Sequence, residues 1–566
     1  MSTLTGVGVS PGVGVGPAYV LAYEATVPAP DSRHGGGAGD AAAELAVAGR
    51  ALERVAADLE ARGARAGGEA REILEAQAMM ARDPGLADGV ATLVEAGTAA
   101  ARAVYEAFGH YRDLLAAAGG YLGERVADLD DVRDRAVAVI EGRTVPGMPA
   151  VPADTGQPYV LVARDLAPAD TALLSPEVVA AFVTEQGGPT SHTAILARAM
   201  GVPAVVACPG ATSIVPGTPV LVDGASGLVR PAPSDDELLG ARNAAAAREA
   251  VLASATGPGT TADGHAVPLL ANIGGPRDVA AALEHGAEGI GLYRTEFLFL
   301  DRAEAPSAAE QEAAYLEVLD AFPGGRVIVR TLDAGADKPL AFLPPGAYEP
   351  NPALGERGLR LFRTHPEIMD TQLAALAAAA ARSSARLQVM APMVATAEEA
   401  AWFADACDAA GLPSAGVMIE IPSAALRASD LAVRAGFLSI GTNDLAQYAL
   451  AADRQLGALT GLQDAWQPAL LDLVALAAAG AAERGRQCGA CGEAAADPAL
   501  ACVLVGLGVT SLSMSAPALP AVRAALSRHT RQQCHLAATA ARAAASPRQA
   551  RAEARSHLPG LAGLAL

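Results

Sequence analysis

Lysine is almost missing from this 566-residue chain. Lys338 stands alone, and arginine supplies the other 40 of the 41 basic side chains. A GC-rich genome explains the bias, since 59 Gly, 38 Pro and abundant Ala accompany it. What needs explaining is the one position that kept an ammonium. With Lys338 as the only lysine, no GxxxxGK[ST] nucleotide loop is available. Cysteine is also scarce. The six residues at 208, 407, 488, 491, 502 and 534 are too sparse for a disulfide framework and favour a reducing compartment. No apolar run approaches the roughly 18 residues needed to span a bilayer. The N-terminus MSTLTGVGVSPGVGVG lacks the basic region of a secretory signal, so a cytoplasmic protein is expected. Positive charge is outnumbered as well: the net charge of −21 opposes nonspecific binding to nucleic acid or anionic membranes.

What is present argues for a large folded protein. Hydrophobic residues make up 51% and charged ones 18%, which excludes a disordered chain, and the length suggests two to four domains. Gly6, Gly8, Gly12, Gly14 and Gly16, with Pro11 and Pro17, punctuate short β segments. Their spacing approaches a dinucleotide fingerprint, but no helix-period segment follows, so they read as turns. From about 39 to 142 apolar residues recur at three- and four-residue intervals, predicting an all-helical block. Asp83-Pro84 stops one of its helices, and YLGERVADLDDVRDRAVAVIEG supplies another with Arg and Asp mixed along its polar face. Short β segments resume near 145, and pairing between them and the N-terminal strands would make the helical block an insertion. Residues 231–262 read as a helical linker.

The remainder alternates. Apolar strand-like runs at 267–274, 289–296, 326–333, 387–394, 415–422, 437–444, 487–493 and 511–516 are separated by helix-period segments, which predicts a (β/α)8 barrel. Catalytic groups of such barrels lie at the C-terminal ends of the strands, and the polar residues of these runs cluster there: Arg294 and Glu296, Arg330 and Asp333, Glu420, Asn443 and Asp444, Cys491. At one strand this could be a terminating turn; at five strands that explanation is poor. Glu420 and Asp444 are hard oxygen ligands suited to Mg2+. Arg294, Arg330 and Arg454 offer guanidinium forks for phosphate or carboxylate. The combination points to a small, strongly anionic, phosphorylated substrate.

Cys488 and Cys491 form a CxxC that could be a redox pair or half of a zinc site. No second CxxC exists, and the motif ends a barrel strand, so a lone thiol donating a proton is preferred, with Cys488 incidental. His192, in EQGGPTSHTAILARAMGVPAVV, lies outside the barrel. A lone histidine is usually structural. This one stands among Gly187, Gly188, Thr190, Ser191 and Thr193 where a helix pattern begins, a setting that favours an anion, and it could carry a phosphoryl group.

The chain resembles enzyme I of the bacterial phosphoenolpyruvate-dependent sugar phosphotransferase system. The resemblance rests on SPGVGVGPAYVL, GGPTSHTAILARAMGVPAVV, GLYRTEFLFL, RTLDAGADKPL, NPALGERGLRLF, APMVATAEEA, GVMIEIPSA, FLSIGTNDLAQYALAADR and CGACGEAAADP. They recur in family order over nearly the whole chain. The resemblance implies an α/β multidomain protein. A phosphohistidine swivelling domain spans 1–25 and 145–230, and a helical subdomain at 26–144 docks the histidine phosphocarrier protein. A linker helix covers 231–262, a dimerising phosphoenolpyruvate-binding barrel 263–540, and a tail, helical or disordered, 541–566. His192 would be phosphorylated at Nε2. Arg294, Arg330, Lys338, Arg357, Asn443, Asp444 and Arg454 would bind phosphoenolpyruvate, Glu420 and Asp444 would hold Mg2+, and Cys491, a thiol of ordinary pKa ~8.5, would protonate the product enolate. Two departures stand out: Pro189 replaces a usually basic residue, and Ala336 a usual glycine.

The nearest rivals, pyruvate,phosphate dikinase and phosphoenolpyruvate synthase, need a further large ATP-grasp domain for which the chain has no room. A nitrogen-branch paralogue would carry a sensory domain ahead of the SPG motif. A non-catalytic derivative would have lost His192, an arginine or a carboxylate. A thiol-disulfide enzyme would depend on Cys488 as much as on Cys491.

Overall fold

The computed structural model describes the chain except for residues 1–2, 11, 22–26, 36, 67, 119–125, 144, 146–157, 167–173, 175–177, 188–191, 301, 336–339, 344–348, 413, 454–456 and 565–566. Pro189, Ala336, Lys338 and Arg454 lie outside the described residues. The chain divides into two compact units, Met1–Arg242 and Asn243–Leu566.

In the first unit the glycine-punctuated start forms β1 (Leu4–Thr5), β2 (Val7–Ser10) and β3 (Val13–Leu21). These join β4 (Tyr159–Ala163), β5 (Val179–Thr184), β6 (Ala204–Val206), β7 (Pro219–Asp223) and β8 (Leu228–Pro231) in one sheet of order β1-β8-β7-β3-β4-β5-β6-β2. The expected pairing is therefore present: β3 runs parallel to β4, with Leu21 opposite Ala163, and antiparallel to β7. A parallel pair cannot be closed by a hairpin and needs a long crossover. The helical block between them provides it.

That block has its own core, built from residues such as Leu52, Leu59, Leu74, Val104, Phe108 and Val132. Asp83-Pro84 ends one helix at Ala81 and starts the next. Asp83 accepts the Leu86 N–H at 2.9 Å, and Pro84 fills the first turn, where its missing N–H costs nothing. One expectation needs correcting. The mixed Asp and Arg residues of the helix Val126–Ile140 do not form a surface face; Asp128, Arg133, Asp134 and Arg135 are all buried. They are satisfied internally. Arg135 pairs with Asp131 at 2.8 Å, Arg133 with Asp134 at 2.7 Å, and Gln77 donates to Asp128 at 2.9 Å. This helix packs against several others, so these four charges meet protein, and buried charges persist only when paired.

The second unit holds β9 (Leu269–Ile273), β10 (Gly289–Arg294), β11 (Arg326–Arg330), β12 (Arg386–Ala391), β13 (Ala415–Ile419), β14 (Phe437–Gly441), β15 (Gln487–Cys491) and β16 (Ser511–Met514). All are parallel, and β16 pairs with β9 to close the barrel. Each strand begins within two residues of the start of one of the apolar runs and stops one to three residues before that run's end; the runs exist because a strand buried on both faces reads as a continuous hydrophobic stretch. Odd and even positions divide between an outer core beneath the helices and an inner cluster of Leu292, Ile328, Met390, Met418, Phe437 and Cys491. The boundary expected at 541 falls inside the helix Arg531–Ala543. A further helix, Pro547–Ser556, buries Ala550 and Ala554 in the outer core, followed by Leu558, Leu561 and Leu564. Among the described residues no helix is long and apolar enough to cross a membrane.

Candidate active site

Each barrel strand delivers its last side chain to one rim, and there Arg294, Arg330, Glu420, Asp444 and Cys491 lie. Arg294 ends β10 and is exposed; Arg330 ends β11 and is buried. The Arg330 guanidinium pairs with Glu296 and, at 3.2 Å, with Asp333. Its Nε and the second oxygen of Glu296 are buried without a hydrogen-bond partner. Such orphaned groups are rare in folded proteins and ask for a ligand or water. Burial works against the charge of Arg330, but Glu296, Asp333, Glu420 and Asp444 outweigh it and push its pKa up. Arg330 is thus locked as a cation.

Glu420 follows β13 and accepts the Met393 N–H at 2.6 Å. Met393 is one of few non-glycine residues with left-handed backbone (φ 58°), a strained conformation that aims this N–H. Burial, then the neighbouring Asp444 and Asp333, push the Glu420 carboxyl up to about 7, against Arg330 and the Met393 N–H. Asp444 sits in the first turn of the helix Thr442–Ala449, where a carboxylate suits the helix dipole. Gly441 makes room: a Cβ there would lie 2.7 Å from a Glu420 oxygen. Two buried, mutually repelling carboxylates beside a fixed cation suit a hard divalent ion such as Mg2+, which takes one or two protein carboxylates and completes its shell with substrate oxygens and water. Among the described residues no three His, Cys, Asp or Glu side chains converge as a closed metal cage.

Arg357, 1% exposed, is committed to protein. It donates to Asp333 at 2.9 and 3.0 Å, and more loosely to Asp444 at 3.3 and 3.4 Å. A third contact, at 3.5 Å, reaches the Tyr448 hydroxyl. It ties Asp333, just after β11, to the first turn of the helix Thr442–Ala449, just after β14. Asn443 accepts the Glu493 N–H at 3.4 Å, linking β14 to the end of β15.

Cys491 and Cys488 are three residues apart on β15 and so face opposite sides of the strand. Cys488 lies in the outer core, where burial pushes its thiol up to about 12, whereas Cys491 joins the inner cluster. That separation removes the redox-pair reading. The ordinary pKa expected for Cys491 is also corrected: burial raises it, partly offset by the Ser439 hydroxyl, and Glu420, Arg330 and Arg294 are its charged neighbours. Gly492 (φ 106°) turns the chain immediately afterwards.

Behind the rim runs a buried polar chain that sequence reading missed. Gln372 donates to Thr295 (3.1 Å) and Tyr315 (3.0 Å) and accepts the Leu332 N–H (3.0 Å), while Thr295 donates to the Arg330 carbonyl (3.0 Å). It fixes the two strand ends that carry Arg294 and Arg330. Gln372 stands within an Ala-rich helix, and no motif marks it. His192, in the first unit, opens the helix His192–Met200.

Three family models match in chain order: PEP-utilising enzyme, N-terminal, over 5–125; mobile domain, over 155–227; and PEP-binding domain, over 248–531. A phosphoenolpyruvate-protein phosphotransferase of Streptomyces coelicolor is 60% identical over 561 residues, covering 99% of this chain and all of that protein. One from Haloferax volcanii is 42% identical, covering 93% of this chain and 94% of its own. With the closed parallel barrel, its rim of arginines and carboxylates, and full-length similarity of this order, the chain belongs to the phosphoenolpyruvate–protein phosphotransferases, the enzyme I family of phosphoenolpyruvate-dependent phosphotransferases.

Proposed function

We propose that this enzyme takes the phosphoryl group of phosphoenolpyruvate onto Nε2 of His192 and passes it to a histidine phosphocarrier protein, the first step of phosphotransferase-system sugar uptake, releasing pyruvate. The observation that carries the reading is the barrel rim, where Arg330 is held cationic with an unpaired Nε beside Glu420 and Asp444. Arg294 and Arg330 bind the phosphate, with Asn443, Lys338 and Arg454 completing the substrate contacts. Arg357, which also holds Asp333 and Asp444, adds a further substrate contact. Glu420 and Asp444 would hold Mg2+, whose chemistry there is to neutralise charge that develops on the transferring group. Neutral His192 attacks in line, and Cys491 gives its thiol proton to the methylene carbon of the enolate. Ketonisation to pyruvate then makes the transfer strongly favourable.

His192 belongs to the unit before Arg242 and the arginines to the unit after it, so transfer includes domain motion through the segment 231–262. The helical subdomain is read as the docking site of the phosphocarrier, and the barrel as the dimerising domain. Six free cysteines support the cytoplasmic assignment. Incubation with labelled phosphoenolpyruvate and Mg2+ tests the core of this reading. Label is expected on the wild type and lost in His192→Ala; label that survives the substitution overturns it. Transfer to the organism's own phosphocarrier identifies the acceptor.

A further inference from the structure

The barrel interior below Cys491 is unusual in its side chains. Bulky branched residues normally fill such a core. Here β14, β15 and β16 contribute Ser439, Gly489, Ser511 and Ser513, and β10 contributes Gly291. The glycines leave room for the hydroxyls: a Cβ on Gly291 would lie 2.4 Å from Ser513 Oγ, and one on Gly489 would lie 2.9 Å from Ser511 Oγ. Together these residues line a small cavity, wide enough for about one ordered water. It also meets Arg326 and the exposed Gln487 at the N-terminal ends of β11 and β15, the end of the barrel opposite the active site. Ser439 lies between this cavity and the thiol. Its hydroxyl donates to Cys491 Sγ at 3.6 Å, while the thiol donates its own proton to the Ile440 carbonyl at 3.5 Å. The sulfur therefore already faces an O–H from which a lost proton can be recovered.

We propose that Ser439 relays a solvent proton to Cys491 from the N-terminal end of the barrel. The inference rests on the reading of Cys491 as the enolate's proton donor. When the enolate carbon takes the thiol proton, a C–H bond forms, the S–H bond breaks and its electron pair stays on sulfur. The Ser439 hydroxyl then gives its proton to the thiolate, re-forming S–H. In the same concerted shift, water in the cavity lined by Ser511 and Ser513 gives a proton to the Ser439 oxygen, and the hydroxide left behind takes a proton from solvent, so each turnover draws one proton from solvent. The supply does not cross the substrate. A thiolate in this apolar cluster is costly, which drives its rapid reprotonation, and the burial that raises the Cys491 pKa acts in the same direction. Ser439 is a positioning residue, acting through the sulfur.

Two exchange reactions separate this role from packing. Carbon-label exchange between pyruvate and phosphoenolpyruvate can recycle one proton on Cys491, whereas incorporation of solvent deuterium into the pyruvate methyl group needs the thiol to exchange with solvent. Both are measured on the full chain with Mg2+, and deuterium incorporated is divided by carbon exchanged. In Ser439→Ala this ratio is expected to fall by on the order of tenfold, whatever happens to the carbon exchange itself. A wild-type ratio in Ser439→Ala, with carbon exchange strongly impaired in Cys491→Ala, overturns the relay alone. Wild-type carbon exchange in Cys491→Ala overturns the donor assignment, and the relay with it.

Discussion

Replacing Arg357 by Met tests the electrostatic construction of the rim. The side chain keeps most of its length and apolar stem but loses five donors. Its four bonds to Asp333 and Asp444 disappear, and both carboxylates are buried. In the wild type two buried guanidiniums, Arg330 and Arg357, face four buried carboxylates, Glu296, Asp333, Glu420 and Asp444; the variant leaves one guanidinium. Removing one partner of a buried pair costs about 3–5 kcal/mol because the other charge stays behind. The tighter bonds to Asp333 place most of that loss there. Both tryptophans, Trp402 and Trp466, belong to the barrel unit, so their fluorescence follows its unfolding in urea without signal from the first unit. At a slope of about 3 kcal/mol per molar, the midpoint should drop by roughly 1–1.7 M. Asp333 keeps Arg330 at 3.2 Å but loses its two tighter bonds, so adding Asp333→Asn removes a charge left under-compensated and should recover part of the loss. A drop worth less than about 1 kcal/mol, or a double variant no better than the single one, would refute the reasoning.

Three further outcomes are expected. His529 donates from Nδ1 to the Ala525 carbonyl (2.7 Å) and accepts the Gly560 N–H at Nε2 (3.0 Å), and burial holds its pKa below the usual 6.5. The unfolded chain therefore takes up its proton first as pH falls, so this contribution is full above pH 6.5 and is lost from there down to the lowered folded value. His529→Gln should flatten the acid side of the barrel's stability profile, read by the same fluorescence. Cys488→Ala should keep phosphorylation and cost about 1 kcal/mol for the small void, whereas Cys491→Ala should abolish most carbon exchange. Lys338→Arg should lower turnover with phosphoenolpyruvate, because a guanidinium fork does not replace a compact ammonium; wild-type turnover would make the lone lysine an accident of composition.

The barrel was legible because its physics is written locally. Eight buried strands are eight apolar runs, and a charged residue at the end of such a run has few structural reasons to be there. Arg330, Glu420 and Asp444 were found in this way. The partnership of Arg357 with Asp333 was not, because the two residues stand 24 positions apart in sequence and no periodicity links them. The helix Val126–Ile140 misled for a related reason. An amphipathic pattern reveals that charges share a face, but whether that face meets solvent or other helices depends on the packing of the bundle. Ser439 was silent as well: a serine in an apolar strand gains meaning only when the closed barrel puts Cys491 above it and a cavity below.

The crossover between β3 and β4 has a consequence for how such enzymes diversify. The helical block leaves the sheet at Leu21 and returns at Tyr159, four pairing positions from the partner of Leu21, or about 13 Å along neighbouring strands. Its own hydrophobic core is separate from those of the sheet. It is therefore a cassette: any module with termini that far apart could be grafted in without re-threading a strand or disturbing the helix that begins at His192. If the cassette chooses the acceptor, partner choice can be rewritten by recombination while the chemistry at the barrel rim is inherited unchanged.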